Sequence, residues 1–342
     1  MKKPKNTANK LKQRGLSLIE LMVALVLGLV ISAAIIQVFL TSKNVYRMQD
    51  AMARIQENGR FAVDYISRDL RMAGYMGCGN LDRIPVNVIA DTPANWAFGP
   101  SNILIGQNNV TAPNELGAKP GTDAIQIRRA AGDSVRLTGN LSVANANIQL
   151  VDNRHGFKKN DTLMISDCVA ADVFNVVNKP QTNNSDKKVT IAHSSGSNTS
   201  NRLSKLYGSD SEVMAFEKIT YYVSPSLVNP AADALWMLVE ETSTAGTPVE
   251  LVEGVDDLQF EFGVDTSGDR NLNVYQTANN VTDWSGVISV RFSLLMADPY
   301  ENTIASSGDF AQSIQYNGAA IASDGTLRDV FESVVAVRNR VP

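Results

Sequence analysis

Between Arg14 and Lys43 the only charged side chain is Glu20, set in RGLSLIELMVALVLGLVISAAIIQVFL at residues 14–40. A charge inside a membrane helix costs about 2.5–3.5 kcal/mol at the bilayer centre and less near an end, so such a residue marks a functional position and needs a partner. Were the chain cut between Gly15 and Leu16, the new α-amine would lie four residues before Glu20, one helical turn away on the same face. The carboxylate would also oppose the positive end of the helix dipole. The chemistry this spacing suits is charge compensation.

Enzyme chemistry finds little elsewhere. His155 and His193 lie in polar, loop-like stretches, and the chain has no HExxH, CxxC, GxSxG or GxxxxGK[ST] pattern. Gly77-Cys78-Gly79 reads as a helix exit, and Asp256-Asp257 as a solvated strand edge. Residues 265–273, DTSGDRNLN, alternate oxygen side chains as calcium loops do. However, Arg270 stands where an EF-hand has its glycine and Gln276 where it has its last glutamate. A tight polar turn explains the same residues. No catalytic residue, cofactor or metal is expected.

The element that must position Glu20 is a helix. The 25 residues Leu16 to Leu40 reach roughly 37 Å as a helix, enough to cross a hydrocarbon core of about 30 Å. No proline occurs between Pro4 and Pro85, and Val45, Met48, Met52, Ile55, Gly59, Ala62, Ile66, Leu70 and Ala73 recur at spacings of three and four. An amphipathic helix over 41–76 therefore continues the apolar one, until Gly74, Gly77 and Gly79 stop it. Its second half should be covered by the chain's own domain, and its first by lipid or by like helices.

Over residues 77–342 the signal changes to short β-type runs: 123–129, 162–166, 188–192, 214–223, 234–240, 257–263, 286–296 and 329–338. In DLQFEFG at 257–263, Leu258, Phe260 and Phe262 alternate with Gln259 and Glu261, as in a sheet with one buried face. Strands without intervening helical periods predict an α+β body with antiparallel sheets. Segments 178–187 and 193–211 read as mobile surface loops.

The formal net charge of −4 hides six basic residues in the first 14 positions, and without residues 1–15 it becomes −10. A basic block before an apolar run places the N-terminus in the cytoplasm and the body on the far, periplasmic side of the inner membrane. Such an acidic body offers nucleic acid no electrostatic footprint. The two cysteines, Cys78 and Cys168, then lie on the oxidising side and predict one disulfide. Closing a loop of that length is worth roughly 4–5 kcal/mol in the chain-entropy model.

The pattern Gly15-Leu16-Ser17-Leu18-Ile19-Glu20 followed by an apolar run resembles the N-terminal signal of type IV prepilins and pseudopilins. ENGRFAVDYISRDLRMAGYMGCG at 57–79, LVEGVDDLQFEFGVD at 251–265, VTDWSGVISVRFSLLMAD at 281–298 and the closing FESVVAVRNRVP extend the likeness to the PilW minor pilins of type IV pili. Residues 86–120 and 170–212 add little to it. The resemblance implies that a membrane peptidase removes residues 1–15 and methylates the amine of Leu16. It also implies that Glu20 pairs with the N-terminal amine of a neighbouring subunit during assembly. A non-enzymatic subunit is implied, joining other minor pilins and the major pilin to prime a pilus and support functions such as twitching motility. The alternatives are a J-type pseudopilin of type II secretion, which uses the same signal, and a membrane-anchored adhesin.

Overall fold

The computed structural model describes residues 17–77, 84–91, 99–131, 134–139, 141, 146–183, 185, 187–241, 245–300 and 312–340. The chain divides into two units, residues 1–50 and 51–342. One helix, Leu18–Arg71, supplies residues to both. Glu20 lies in its first turn, and Arg68 and Arg71 in its last, each sign opposing the nearby end of the helix dipole. The helix starts two residues after Leu16 and stops at Arg71, short of Met76. Met72 and Ala73 tighten the last turn by donating their N–H groups to the carbonyls of Asp69 and Leu70. Gly74 then takes a positive φ of 70° and donates to the Arg128 carbonyl at 2.9 Å. A side chain in that conformation would be strained.

Within the first unit, every described side chain of the helix is exposed. Within the second, Ala51, Ile55, Gly59, Ala62, Ile66 and Leu70 form a buried stripe at spacings of three and four. Burying a side chain such as Ile55, Ile66 or Leu70 contributes about 1.5–3 kcal/mol. The small residues let the sheet come close: a Cβ at Gly59 would sit 2.4 Å from the Phe331 ring.

The body is strand-rich and mostly antiparallel, the α+β architecture expected. Its larger sheet has nine strands built around the long strand Glu212–Pro225. Beyond Glu212–Ala215 this strand pairs with Ala124–Ala130 and Asp233–Glu241, and these in turn carry Leu104–Gln107 and Val249–Glu253. Residues 212–215 pair with Thr162–Ser166 and with Val135–Arg136. Ala171–Asn175 comes next, followed by Val86–Val88 in the sheet's parallel pairing. The smaller sheet is antiparallel, in the order Val274–Gln276, Val255–Val264, Val287–Ala297, Arg328–Ala336. Two two-stranded sheets stand apart: the hairpin of Ile314–Tyr316 with Ala319–Ile321, and Asn147–Leu150 with Val189–Ala192.

Two cores result. The larger joins the helix stripe to both sheets, with Leu258, Phe260 and Phe262 pointing inward as their alternation predicts. Phe260 meets Phe292 at 5.9 Å, and Phe262 meets the Trp284 edge at 4.8 Å, distances favourable for tilted rings. The smaller core joins the Asn147–Leu150 and Val189–Ala192 pair to the larger sheet, and includes Ile148, Leu150, Leu163, Phe174, Ile191 and Val213. Residues 193–211, expected as surface loop, contribute to it: Tyr207 is fully buried and His193, Asn198 and Ser211 nearly so.

Candidate functional site

The helix start carries the chemistry that the sequence singled out. Gly15 and Leu16 lie outside the described residues. Ser17 occupies the position before the helix, and its Oγ accepts the Glu20 N–H at 3.3 Å, while the Ser17 N–H donates to Glu20 Oε2 at 2.9 Å. Serine followed three residues later by glutamate, bonded reciprocally, is a capping box. The expectation that position 16 lies one helical turn from Glu20 on a shared face falls on a residue outside those described. The carboxylate is held by its own chain terminus through Oε2.

After this cap come thirty residues of exposed, mostly apolar helix, long and apolar enough to cross a membrane by length and composition. The distal half differs by its ties. Arg54 pairs with Asp298 at 3.1 Å, Gln56 donates to Asp329 at 2.5 Å, and Asn58 donates to the Glu253 carbonyl at 3.1 Å. Asp69, nearly buried, accepts from Arg129 Nη1 at 2.7 Å and from the Tyr221 hydroxyl at 2.6 Å. Arg129 also reaches Glu217. Burial and the Asp69 charge push the Tyr221 phenol well above its usual range, so it stays a neutral donor. Asp69 had no sequence signal beyond its place in the helix, since its partners are 60 and 152 residues away.

The other candidates are structural. Asp256 links Lys119 at 2.7 Å to Arg328 at 3.2 Å, and Asp257 accepts from Leu258 N–H and Gln259. His193 is buried against Phe174, ring centres 5.4 Å apart, and burial lowers its pKa. His155 sits by Phe157 at 5.8 Å. In the 265–273 loop, one oxygen or the other of Asp265 accepts N–H groups of Ser267, Gly268 and Arg270, which is turn chemistry. Among the described residues no three His, Cys, Asp or Glu converge as a metal site. Cys168 is disulfide-bonded; Cys78 lies outside the described residues.

The prokaryotic N-terminal methylation motif matches residues 10–36, which bracket the capping box, and the type IV pilus-assembly protein W family, PilW, matches residues 220–339. The chain carries a PilW domain behind a prepilin-type N-terminal methylation motif. The PilW match begins within the long central strand and takes in the whole smaller sheet. The strands around the smaller core lie almost entirely outside it. A type IV-like pilin from Thermus thermophilus aligns with 84% of this chain and 99% of its own at 11% identity, with a TM-score of 0.33. That likeness is too low to carry an argument. No curated protein matches the chain.

Proposed function

We propose that this PilW-type chain is held in the inner membrane by residues 18–40 with its body on the periplasmic side, and is then drawn into a type IV pilus. There it joins other minor pilins and primes polymerisation of the major pilin, in support of functions such as twitching motility. The observation that carries this reading is the apolar half-helix with no side chain buried by its own chain, tipped by one capped carboxylate. Lipid covers such a surface in the membrane, and equivalent helices cover it in a filament, so transfer from one to the other costs little apolar exposure. In this reading a peptidase cleaves between Gly15 and Leu16, the Leu16 amine is methylated, and Glu20 meets the terminal amine of the receiving assembly.

The test is Glu20→Ala in cells. Membrane insertion should persist while the protein disappears from sheared filaments and piliation falls; normal piliation would overturn the assembly role. Deletion that blocks protein secretion and leaves pili intact would instead assign the chain to a secretion pseudopilus. We further propose that the bond of Cys168 is to Cys78. Denatured, unreduced protein should then titrate no thiol, and Cys168→Ser should lower body stability by about 2–5 kcal/mol.

A further inference from the structure

We propose that His193 is an acid-sensitive latch, which holds residues 193–211 against the smaller core at neutral pH and releases them in mild acid. Every residue of this segment is described, and among them there is no helix; the one strand-like contact is the bridge of Asn198 to Ala90. Backbone bonds reach neighbours such as Ile89 and Ala146, and the side chains that grip the segment converge on the strand Ala171–Asn175. Asp172 accepts from the Ser204 N–H at 2.9 Å and from the Ser204 and Tyr207 hydroxyls at 2.6 Å each. Asn175 donates its side-chain amide to the Ser197 carbonyl at 2.9 Å and its backbone N–H to Asn198 Oδ1 at 2.7 Å. Phe174, between them in the strand, meets the His193 ring with centres 5.4 Å apart.

That ring is the weak point of the grip. It is 1% exposed, and neither of its nitrogens has a hydrogen-bond partner. Buried polar groups are nearly always paired, and an unpaired buried charge costs far more than an unpaired neutral group. The surroundings do little to offset a proton. Asp172 is the only titratable side chain of its strand, and its carboxylate is already engaged by Asn87, Ser204 and Tyr207. Beyond Tyr207, Lys205 is paired with Asp167, and the segment's other charged side chains, Arg202 and Asp210, are exposed. Strands Asn147–Leu150 and Val189–Ala192 carry no titratable group. Around the rest of the smaller core Glu212 is paired with Arg136 and Asp152 with Arg154, while Lys158, Lys159, Lys179, Lys187 and Lys188 are exposed. Burial, which disfavours the imidazolium, outweighs the ring's own backbone and the Asp172 charge, which favour it, and lowers the pKa.

The sign follows. A solvated imidazole titrates near 6.5, and above that pH the ring is neutral whether the segment is closed or open. Below it the open form takes a proton that the closed form resists, so closure weakens by up to about tenfold per pH unit until the closed form is itself protonated. Asp123 acts in the opposite sense. It is buried where it accepts the Asn109 and Phe260 N–H groups at 2.8 Å each, and burial pushes its pKa up to about 6. The folded form takes that proton first, so the junction of the two sheets gains stability as pH falls through 6. Mild acid thus loosens the smaller core and tightens the larger. On the proposed placement of the body outside the cytoplasm the latch follows the pH of the medium, but the latch itself does not depend on that placement.

The experiment follows amide exchange by mass spectrometry in the full chain in non-ionic detergent at pH 7 and pH 5, corrected for intrinsic rates. Peptides from 193–211 should lose about tenfold in protection at pH 5, while those from Ala124–Ala130 and Val255–Val264 should lose none. His193→Phe keeps a flat ring against Phe174 and has no proton to take, so it should abolish the loss. The imidazole proton signals of the otherwise unaltered chain give an independent reading: the chain has two histidines, His155→Gln assigns them, and His193 should titrate below 6.5. No loss over 193–211, an equal loss in both cores, a loss as large in His193→Phe as in the unaltered chain, or a His193 midpoint at or above 6.5 would each overturn the latch.

Discussion

Residues 18–50 and 51–71 belong to one unbroken helix, yet no side chain of the first stretch is buried while eight residues of the second are. The distal stretch has one apolar stripe, small residues where the sheet comes close, and polar groups on its flanks that reach Glu253, Asp298 and Asp329. Its partner is in the chain. Up to Leu40 the proximal stretch is apolar all round, which suits a helix surrounded by lipid or by other helices. At its start the Ser17–Glu20 cap is a polar tie within the chain. The same secondary structure thus serves two ends, and what separates them is whether the sequence also supplies the surface to be covered.

That difference is most exposed to test by a matched pair of truncations. Leu70→Ala should lower the body's unfolding free energy by about 2–5 kcal/mol, since it removes a fully buried side chain from a close-packed core. Leu29→Ala deletes the same atoms from the proximal half and should leave the body's melting temperature unchanged, altering only recovery of the protein in filaments. Equal destabilisation by both would erase the distinction between the halves.

Much of this division was legible before any coordinates. The periodicity from Val45 to Ala73 marks the distal stripe, and the eight strands with clear alternation or β-branched runs all form, within a few residues of their expected ends. Shorter strands such as Val86–Val88, Val135–Arg136 and Val274–Gln276 have too few residues to show a period. Their existence depends on partners distant in sequence: Val86–Val88 adds in parallel to Ala171–Asn175. The smaller core was hidden for the same reason. Tyr207 and His193 sit in polar runs whose composition suggests exposure, but Tyr207 donates its hydroxyl to the buried Asp172 and is fixed by a contact 35 residues away. Local pattern cannot report such a bond. The capping box needs only residues 17 and 20, and it was still missed, because an acid in an apolar run draws attention to distant partners before near ones.

Gly59 offers a smaller and sharper probe of the distal half. Alanine is better than glycine in a helix by about 1 kcal/mol, but here its Cβ would sit 2.4 Å from the Phe331 ring. Overpacking costs about 1–3 kcal/mol, so Gly59→Ala should be net destabilising by about 1 kcal/mol. With Phe331→Ala already in place the sign should reverse, because the ring is gone and only helix propensity remains. A double-mutant cycle by thermal unfolding measures this coupling. Additive effects would mean that the strand does not limit how close the helix lies.

The smallest expected effect belongs to the proximal end. Ser17→Ala removes the Oγ that accepts the Glu20 N–H but keeps the backbone N–H that donates to Glu20 Oε2. Loss of such a cap costs about 1 kcal/mol, which is about a fivefold faster amide exchange over residues 18–21 in micelles. The melting temperature of the body should not move, since the bond removed is local to residues 17–20. Glu20→Gln tests the other half of the cap: it retains the Ser17 bond to the Glu20 N–H and removes the charge. If assembly follows charge, Glu20→Gln should impair incorporation while exchange at residues 18–21 stays slow, and Ser17→Ala should do the reverse. Were Ser17→Ala to impair incorporation as severely as Glu20→Gln, the carboxylate's task would be to hold the helix end, and compensation by an incoming amine would no longer be needed to explain its place in the apolar run.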